Sequence, residues 1–400
     1  MNTALSYLDK DPEANAAKVM ALVDRLTPDS WYVPQRAAVR NAIETRNNWF
    51  QLVMKVWELD PGVRKAFFQN FVVNASLMGS AVQEEAAARE GCNVPWAILM
   101  DPTTACNLHC TGCWAAEYGN QLNLTLDEMS SIVEQGKRLG TYMYIFTGGE
   151  PLVRKKDVIA LCERHPDCEF LSFTNGTLID EAFCQEMLRV KNFIPALSVE
   201  GFEEANDSRR GEGVYDKVTH AMALLKQHHL PFGISACYTS VNYKDITSEK
   251  FYDLIMDLGA YFVWFFHYMP VGNDAAVELL PTPEQRKTVY ERIRAYRKTK
   301  PIFIRNCRIS FLVTAVISLW KSSKVISPLS ACSRKLIQRR RVVFPEPLFP
   351  RTAITEPFST LKSTPFNTSF VPNFLWIFFT SSIFFLTFLY RNLVIDNRVL

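Results

Sequence analysis

Six short apolar runs follow one another between Pro95 and Gly272, and amphipathic segments separate them. The runs are WAILMDP, YMYIFTG, EFLSFTNG, FIPALSVEG, FGISACYTS and YFVWFFHYMPVG. Strands that alternate with helices pair in parallel, because each crossover helix returns the chain to the same end of the sheet. Right-handed crossovers curl such units into an open barrel or a doubly wound sheet, with reactive groups where the strands end. We therefore predict an α/β fold over residues 93–306, and the pattern leaves the open barrel and the doubly wound sheet as alternatives.

The first 92 residues are predicted to form a separate helical region. Stretches such as PEANAAKVMALVDRL and RNAIETRNNWFQLVMKVW place apolar residues three and four positions apart, as in an amphipathic helix. The opening MNTALSYLDKDPEANAAKV has no basic segment followed by an apolar run, so we expect no secretory signal. Ten cysteines in 400 residues are too few for a disulfide scaffold. Reduced thiols and a cytoplasmic location are therefore expected.

Residues 307–400 differ in composition from the rest of the chain. All 16 glycines lie upstream of this tail, which holds 12 Lys/Arg against 3 Asp/Glu, whereas the preceding residues hold 32 against 38. The mildly acidic body has no basic stripe, which argues against nucleic acid as a partner. An uncharged segment at about 371–390 is long enough to span a hydrocarbon core of about 30 Å. Two alternatives stay open: a membrane segment, or an out-of-frame sequence that replaced the original C-terminus.

The segment DPTTACNLHCTGCW, directly after the first predicted strand, places Cys106, Cys110 and Cys113 in a CxxxCxxC pattern. Thiolates are soft ligands that suit iron-sulfur clusters and zinc, and three on one loop can hold three irons of a cubane. The next cysteine is Cys162, so the fourth iron would be left open. The alternatives are a zinc site completed by His109, or cysteines that bind nothing.

The run CNLHCTGC resembles the cluster motif of the radical S-adenosylmethionine (SAM) superfamily. This resemblance implies that residues 93–306 form a partial (β/α)6 TIM-like barrel. It also implies a catalytic four-iron four-sulfur cluster on the three cysteines, with SAM chelated at the open iron. An electron from the cluster would break the sulfonium bond, and the resulting 5'-deoxyadenosyl radical would abstract hydrogen from substrate. The resemblance also implies an external electron donor such as flavodoxin or ferredoxin. The chain departs from the pattern at Gly112, where many members place an aromatic residue.

The segment FTGGEPL follows the second predicted strand, and glycines there let the backbone approach a ligand closely. By resemblance, Gly148, Gly149 and Glu150 bind the methionine amino group of SAM. The polar ends of later strands resemble further SAM contacts of the family, on the ribose, the carboxylate and the adenine. These residues are Thr174 and Asn175, Ser198 and Glu200, Arg210, and Met269 and Pro270.

Substrate and reaction stay open at this level. The barrel pattern is most similar to peptide-modifying maturases of the SPASM type, but no cysteine-rich auxiliary-cluster extension is recognisable in the tail. A peptide, a lipid or a small metabolite could serve as substrate. Two alternatives remain beside the radical SAM enzyme: a non-catalytic iron-sulfur or zinc-binding protein, and a disrupted enzyme with a replaced C-terminus.

Overall fold

The computed structural model describes residues 7–26, 33–113, 115, 122–271, 275–306 and 315–317. Nearly all of the tail that begins at residue 307 therefore lies outside the described residues, and so does the predicted membrane segment at about 371–390. Within the ranges that are described, no helix combines the length and the apolar character needed to cross a membrane.

The N-terminal region is helical, as its apolar spacing predicts. Its α-helices are α1 (Pro12–Leu26), α2 (Val33–Thr45), α3 (Asn48–Lys55), α4 (Pro61–Phe67) and α5 (Gly79–Glu90). Side chains cap the starts of α3 and α4, because Asn47 accepts hydrogen bonds from the first turn of α3 and Asp60 accepts one from Val63 in α4. A π-helical segment, Phe68–Met78, joins α4 to α5 without a break.

The barrel is built on one parallel sheet. Its strands are β1 (Ala97–Met100), β2 (Met143–Phe146), β3 (Glu169–Thr174), β4 (Phe193–Ser198), β5 (Gly233–Tyr238), β6 (Phe262–His267), β7 (Phe303–Asn306) and β8 (Ala315–Ile317). They lie in the order β7-β6-β5-β4-β3-β2-β1-β8, and every neighbouring pair is parallel. The six predicted strands and the partial barrel are confirmed. Strands β7 and β8 are additions that the apolar pattern did not indicate.

The crossover helices cover the outer face of the sheet. They are α6 (Leu126–Arg138), α7 (Lys155–Arg164), α8 (Glu181–Val190), α9 (Glu203–Arg210), α10 (Val214–Gln227), α11 (Glu249–Asp257) and α12 (Pro283–Tyr296). Helix α6 begins with a capping box, in which the Thr125 hydroxyl accepts from the Glu128 N–H and the Glu128 carboxylate accepts from the Thr125 N–H. Alternate strand residues such as Ile98, Tyr144 and Phe265 pack against these helices in the larger of the hydrophobic clusters.

The other face of the sheet is concave and packs on the N-terminal helices. Inward residues near the strand starts, such as Ala97, Met143 and Leu171, share a second hydrophobic cluster with Phe71 and Val72 of the π-helical segment. Strands β3 and β6 are three positions apart in the sheet, yet the rings of Phe173 and Trp264 lie 5.4 Å apart. Strand spacing in a flat sheet would separate them by about 14 Å, so the sheet is strongly curved. The N-terminal helices therefore form a floor at the amino ends of the barrel strands.

Candidate active site

The loop that carries the three cysteines leaves β1 and is fastened on both sides. Thr103 pairs with Asn123 in an isolated antiparallel bridge, and the Thr104 N–H donates to the Leu122 carbonyl at 2.9 Å. On the other side the N–H groups of Gly149 and Glu150 donate to the carbonyls of Thr103 and Ala105, at 3.0 and 2.8 Å. The cysteine loop therefore has a fixed path over the carboxyl ends of β1 and β2.

Cys106, Cys110 and Cys113 are half-buried and free of disulfides. A tight turn joins the last two, since the Cys113 N–H donates to the Cys110 carbonyl at 3.1 Å. Burial raises the pKa of the Cys106 and Cys110 thiols, and the Arg210 guanidinium opposes the shift at Cys110. A bound metal deprotonates coordinating thiols outright, so three adjacent unpaired cysteines fit a soft, cationic cluster.

The donor set does not form a ready single-ion site. In the part of the chain that the structure describes, no group of three or more His, Cys, Asp or Glu side chains is arranged to hold a metal ion. The zinc alternative with His109 as a ligand stays open beside the iron-sulfur cluster.

The two glycines of FTGGEPL are required by contact with the cysteine loop. A Cβ atom on Gly149 would lie 2.2 Å from the Ala105 carbonyl oxygen, and one on Gly148 would lie 2.7 Å from that of Thr103. Gly148 also has a φ of +103°, which L side chains rarely adopt. Both residues were predicted to bind SAM, and the structure places them directly against the loop that carries the predicted ligands.

Glu150 forms a buried unit with two other predicted SAM residues. Its carboxylate accepts hydrogen bonds from the Thr174 hydroxyl at 2.6 Å, the Asn175 N–H at 2.7 Å and the Leu152 N–H at 2.9 Å. Oxygen Oε1 takes two of these bonds and Oε2 one, so Oε2 keeps capacity for another donor. Burial raises the pKa of Glu150, and the three hydrogen bonds oppose that shift.

A chain of amide hydrogen bonds ties this unit to the cysteine loop. The Asn175 amide donates to Asn107 Oδ1 at 2.9 Å, and the Asn107 amide donates to the Thr177 hydroxyl at 2.9 Å. Asn107 directly follows the first cysteine in sequence. The end of β3 therefore helps to fix the position of Cys106. The sequence analysis missed Asn107, although it lies inside the motif CNLHC.

Glu200, after β4, is clamped by two arginines. Arg209 donates to its Oε1 at 2.6 Å, and Arg210 donates to the same oxygen through Nε at 3.0 Å and through Nη2. The Asn242 amide donates to the Glu200 carbonyl at 2.9 Å. Two guanidinium groups facing one carboxylate leave a net charge of about +1 beside Cys110. Of this clamp the sequence analysis predicted Glu200 and Arg210, and it missed Arg209 and Asn242.

The turn between Cys110 and Cys113 packs on Tyr268, at the end of β6. Gly112 has a φ of +64°, and a Cβ atom there would lie 2.3 Å from the Tyr268 phenolic oxygen. The Ala276 N–H donates to that oxygen at 2.9 Å, and the Arg209 guanidinium lies 5.7 Å from the ring centroid. Thr111 donates its N–H to the Arg209 carbonyl at 2.8 Å. Tyr268 thus fills the space that a side chain at residue 112 would need.

The remaining predicted SAM residues lie at the ends of β4 and β6. Ser198 is half-buried at the end of β4, Pro270 is half-buried, and Met269 is exposed. Their predicted contacts with SAM stay predictions. A further residue that the sequence analysis missed is Asp101, whose position directly before the cysteine motif was its only signal.

Comparison with known proteins agrees with this geometry. Residues 100–258 match the model of the radical SAM superfamily. This range begins at the end of β1 and includes the cysteine loop, the Gly-Gly-Glu turn and the Glu200 clamp.

Two archaeal relatives come from Methanosarcina barkeri. An AdoMet-dependent heme synthase is 28% identical over 201 residues, which are 48% of this chain and 57% of the relative. An Fe-coproporphyrin III synthase is 26% identical over 200 residues, 48% of this chain and 49% of the relative. The chain thus spans about half the length of these curated relatives.

Among solved structures, Streptococcus suis SuiB bound to S-adenosylmethionine is similar with a TM-score of 0.49 and 18% identity, over 57% of this chain and 54% of that one. The family match falls on the same segment as the three cysteines and their backbone supports. Residues 100–258, which carry the candidate site, are therefore similar to the radical SAM superfamily.

Proposed function

We propose that this protein reductively cleaves SAM at a four-iron four-sulfur cluster held by Cys106, Cys110 and Cys113. The observation that carries the proposal is the contact between the cysteine loop and the Gly-Gly-Glu turn. Backbone hydrogen bonds join the two segments, and a Cβ atom on either glycine would clash with a carbonyl oxygen of the loop. Metal ligands and an adjacent backbone cradle are therefore held as one preorganised unit.

A cluster held by Cys106, Cys110 and Cys113 would supply the electron that breaks the sulfonium bond of SAM, and the electron would reach it from the external carrier named below. The protein's part is to bind and orient. Glu150 is fixed by Thr174 and Asn175, and its Oε2, which takes one hydrogen bond, has lone-pair capacity for an ammonium donor. We assign the methionine end of SAM to this position.

The Glu200 clamp supplies positive charge beside Cys110. Arg210 uses Nε and Nη2 on Glu200, and its Nη1 makes no hydrogen bond within the described ranges. This donor suits a carboxylate, because guanidinium groups bind carboxylates with charge-assisted hydrogen bonds. Positive charge here also favours the thiolate form of Cys110. The electron comes, in this proposal, from an external carrier such as flavodoxin or ferredoxin.

Analysis of iron and acid-labile sulfide tests the ligand assignment. Protein purified without oxygen should contain iron and sulfide in equal amounts, and Cys110→Ser should lose most of both. Cys92→Ser is the matched control, because Cys92 is also half-exposed but lies before β1, away from the loop. Zinc without sulfide in the wild-type chain, or full iron in Cys110→Ser, contradicts the proposal.

A further inference from the structure

Side chains on the concave face keep exposed surface near the cysteine end of the strands. Burial alternates along β6. Trp264 and Phe266 are half-buried, whereas Val263 and Phe265, which precede them, are fully buried. In β3, Phe173 is half-buried between two buried neighbours. Strand alternation sends these half-buried residues to the inner face and their buried neighbours to the helices. An accessible space therefore lies along the concave face.

This space has a floor and a roof. Toward the strand starts, inward residues such as Leu171 and Ala196 are buried against the N-terminal helices. Toward the strand ends lies the cysteine loop, which crosses β1 and β2. A molecule in the space would thus lie directly below the cysteines.

The wall of the space is aromatic. The ring of Phe173 lies 5.4 Å from those of both Trp264 and Phe266, at interplanar angles of 58° and 88°. Partly exposed aromatic rings gain free energy when an apolar or aromatic group covers them. Ser235 and Cys237 of β5, also half-buried, add small side chains between the rings of β3 and β6. This wall suits the flat or apolar body of a ligand.

Asp101 adds a carboxylate at the roof of the same space. It follows β1 at an inward position, in line with Ala97 and Leu99. Its Oδ1 is buried and has no hydrogen-bond partner within the described ranges. A buried carboxylate oxygen without a partner is unfavourable, and a ligand cation would relieve that cost. Burial raises the pKa of Asp101 to about 6, so the group is mostly ionised at pH 7.5.

The sheet register places Asp101 close to the aromatic wall. Met100 pairs with Phe146, and Phe146 pairs with Ser172. Asp101 follows Met100 and Phe173 follows Ser172. The two residues therefore lie at the same level of the sheet, two strands apart. Two strand spacings are about 10 Å. One small molecule can therefore reach both groups.

We propose that the concave face below the cysteine loop binds the substrate as an organic cation with an aromatic or apolar body. The amine pairs with Asp101, and the body packs on Phe173, Trp264 and Phe266. The identification of this ligand as substrate rests on the proposed function, whereas the binding site itself does not.

Calorimetric titration of the full chain, purified without oxygen, tests the site with two probes. Tryptamine and indole-3-propionate share a ring and differ in charge. We expect tryptamine to bind with a dissociation constant below about 1 mM and the propionate at least about tenfold more weakly. Asp101→Asn should weaken tryptamine about tenfold and remove the preference, because a hydrogen bond to a charged group is lost. Trp264→Leu should weaken both probes.

Asp216→Asn is the matched control, since Asp216 is exposed on α10 and should leave both affinities unchanged. Equal binding of the two probes, no binding of either, or unchanged binding in Asp101→Asn overturns the proposal. Iron content is measured on the same samples. A wild-type chain that prefers tryptamine but holds no iron refutes the proposed function alone. An iron-loaded chain without the preference refutes the substrate site alone. Loss of iron in Asp101→Asn would show that Asp101 supports the cysteine loop, and that result also overturns the proposed ligand site.

Discussion

The Tyr268 phenolic oxygen fills the position that a side chain on residue 112 would need, because a Cβ atom there would lie 2.3 Å from that oxygen. Gly112 lies in the turn between two of the proposed ligands, and Tyr268 lies at the end of β6. The oxygen cannot simply move away, since it also accepts from the Ala276 N–H. The pair therefore sets the distance between the cysteine turn and the far strands of the barrel.

Gly112→Ala should destabilise the fold and reduce iron binding. The positive φ costs about 1 kcal/mol for alanine, and the contact with Tyr268 adds about 1 kcal/mol or more. Gly213→Ala is a control for the backbone cost alone, because its φ is +71° and nothing lies within 4 Å of its Cβ position. Urea unfolding and iron content compare the two. If both substitutions changed stability and iron content equally, Tyr268 would have moved aside at no cost, which contradicts our interpretation.

Gly149→Ala should displace the cysteine loop, because its Cβ atom would lie 2.2 Å from a backbone carbonyl oxygen that hydrogen bonds hold in place. We expect the variant to lose most of its iron and about 1–3 kcal/mol of stability. Gly62→Ala is the milder comparison, because its Cβ would stand no closer than 3.1 Å to any atom, the nearest being the Asp60 carboxylate and the end of the Lys191 side chain. Normal iron content in Gly149→Ala would contradict the close fit.

Glu200→Gln should destabilise the chain by about 3 kcal/mol, because two largely buried arginines lose their counter-charge. Chemical unfolding of the purified variant measures this. The comparison is Asp127→Asn, which removes the exposed ion pair with Arg164 and should change stability by less than about 1 kcal/mol. Similar small changes in unfolding free energy for both variants would show that the Glu200 clamp contributes little to stability.

Glu169 should make stability depend on pH. It begins β3 in full burial, and the Asn70 side chain only partly opposes the effect of that burial on its pKa. Burial raises its pKa well above the usual range, so the folded chain retains a proton that the unfolded chain releases above about pH 4.5. The stabilising contribution is complete below that pH and is lost as pH rises through the folded pKa.

Unfolding free energies measured from pH 4 to pH 9 test this dependence. In the window above about pH 4.5 the wild-type chain should lose up to about 1.4 kcal/mol per pH unit from this one group. Glu169→Gln should flatten the curve and be the more stable protein at alkaline pH. Glu204→Gln, an exposed glutamate of α9, should leave the curve unchanged. Parallel curves for wild type and Glu169→Gln would show that Glu169 is not protonated in the fold.

Local sequence patterns predicted most strands and helices, but they did not predict contacts between residues far apart in sequence. The six apolar runs carry their structure in a few neighbouring residues, and the six strands that they predict are confirmed. Strand β7 was missed because its FIRN sequence is short and interrupted by polar residues. No pattern in either segment links Gly112 with Tyr268, since that contact exists only once β1 and β6 belong to one curved sheet.

The same limit applied to the site. Spacing singled out the cysteines and Gly-Gly-Glu, because those residues lie close in sequence. Arg209 and Asn242 act through Glu200, which is near them only in space. The concave face could not be predicted either, since the exposure of Trp264 and Phe173 depends on how far the N-terminal helices fill the barrel.

Release of 5'-deoxyadenosine tests the proposed chemistry most directly. Reduced, anaerobically purified protein given SAM should release it over many minutes, and Cys110→Ala should release none, while Cys92→Ala retains the activity. Release by Cys110→Ala at the wild-type rate, or no release by a wild-type chain that holds its iron and sulfide, would contradict cleavage of SAM at these three cysteines.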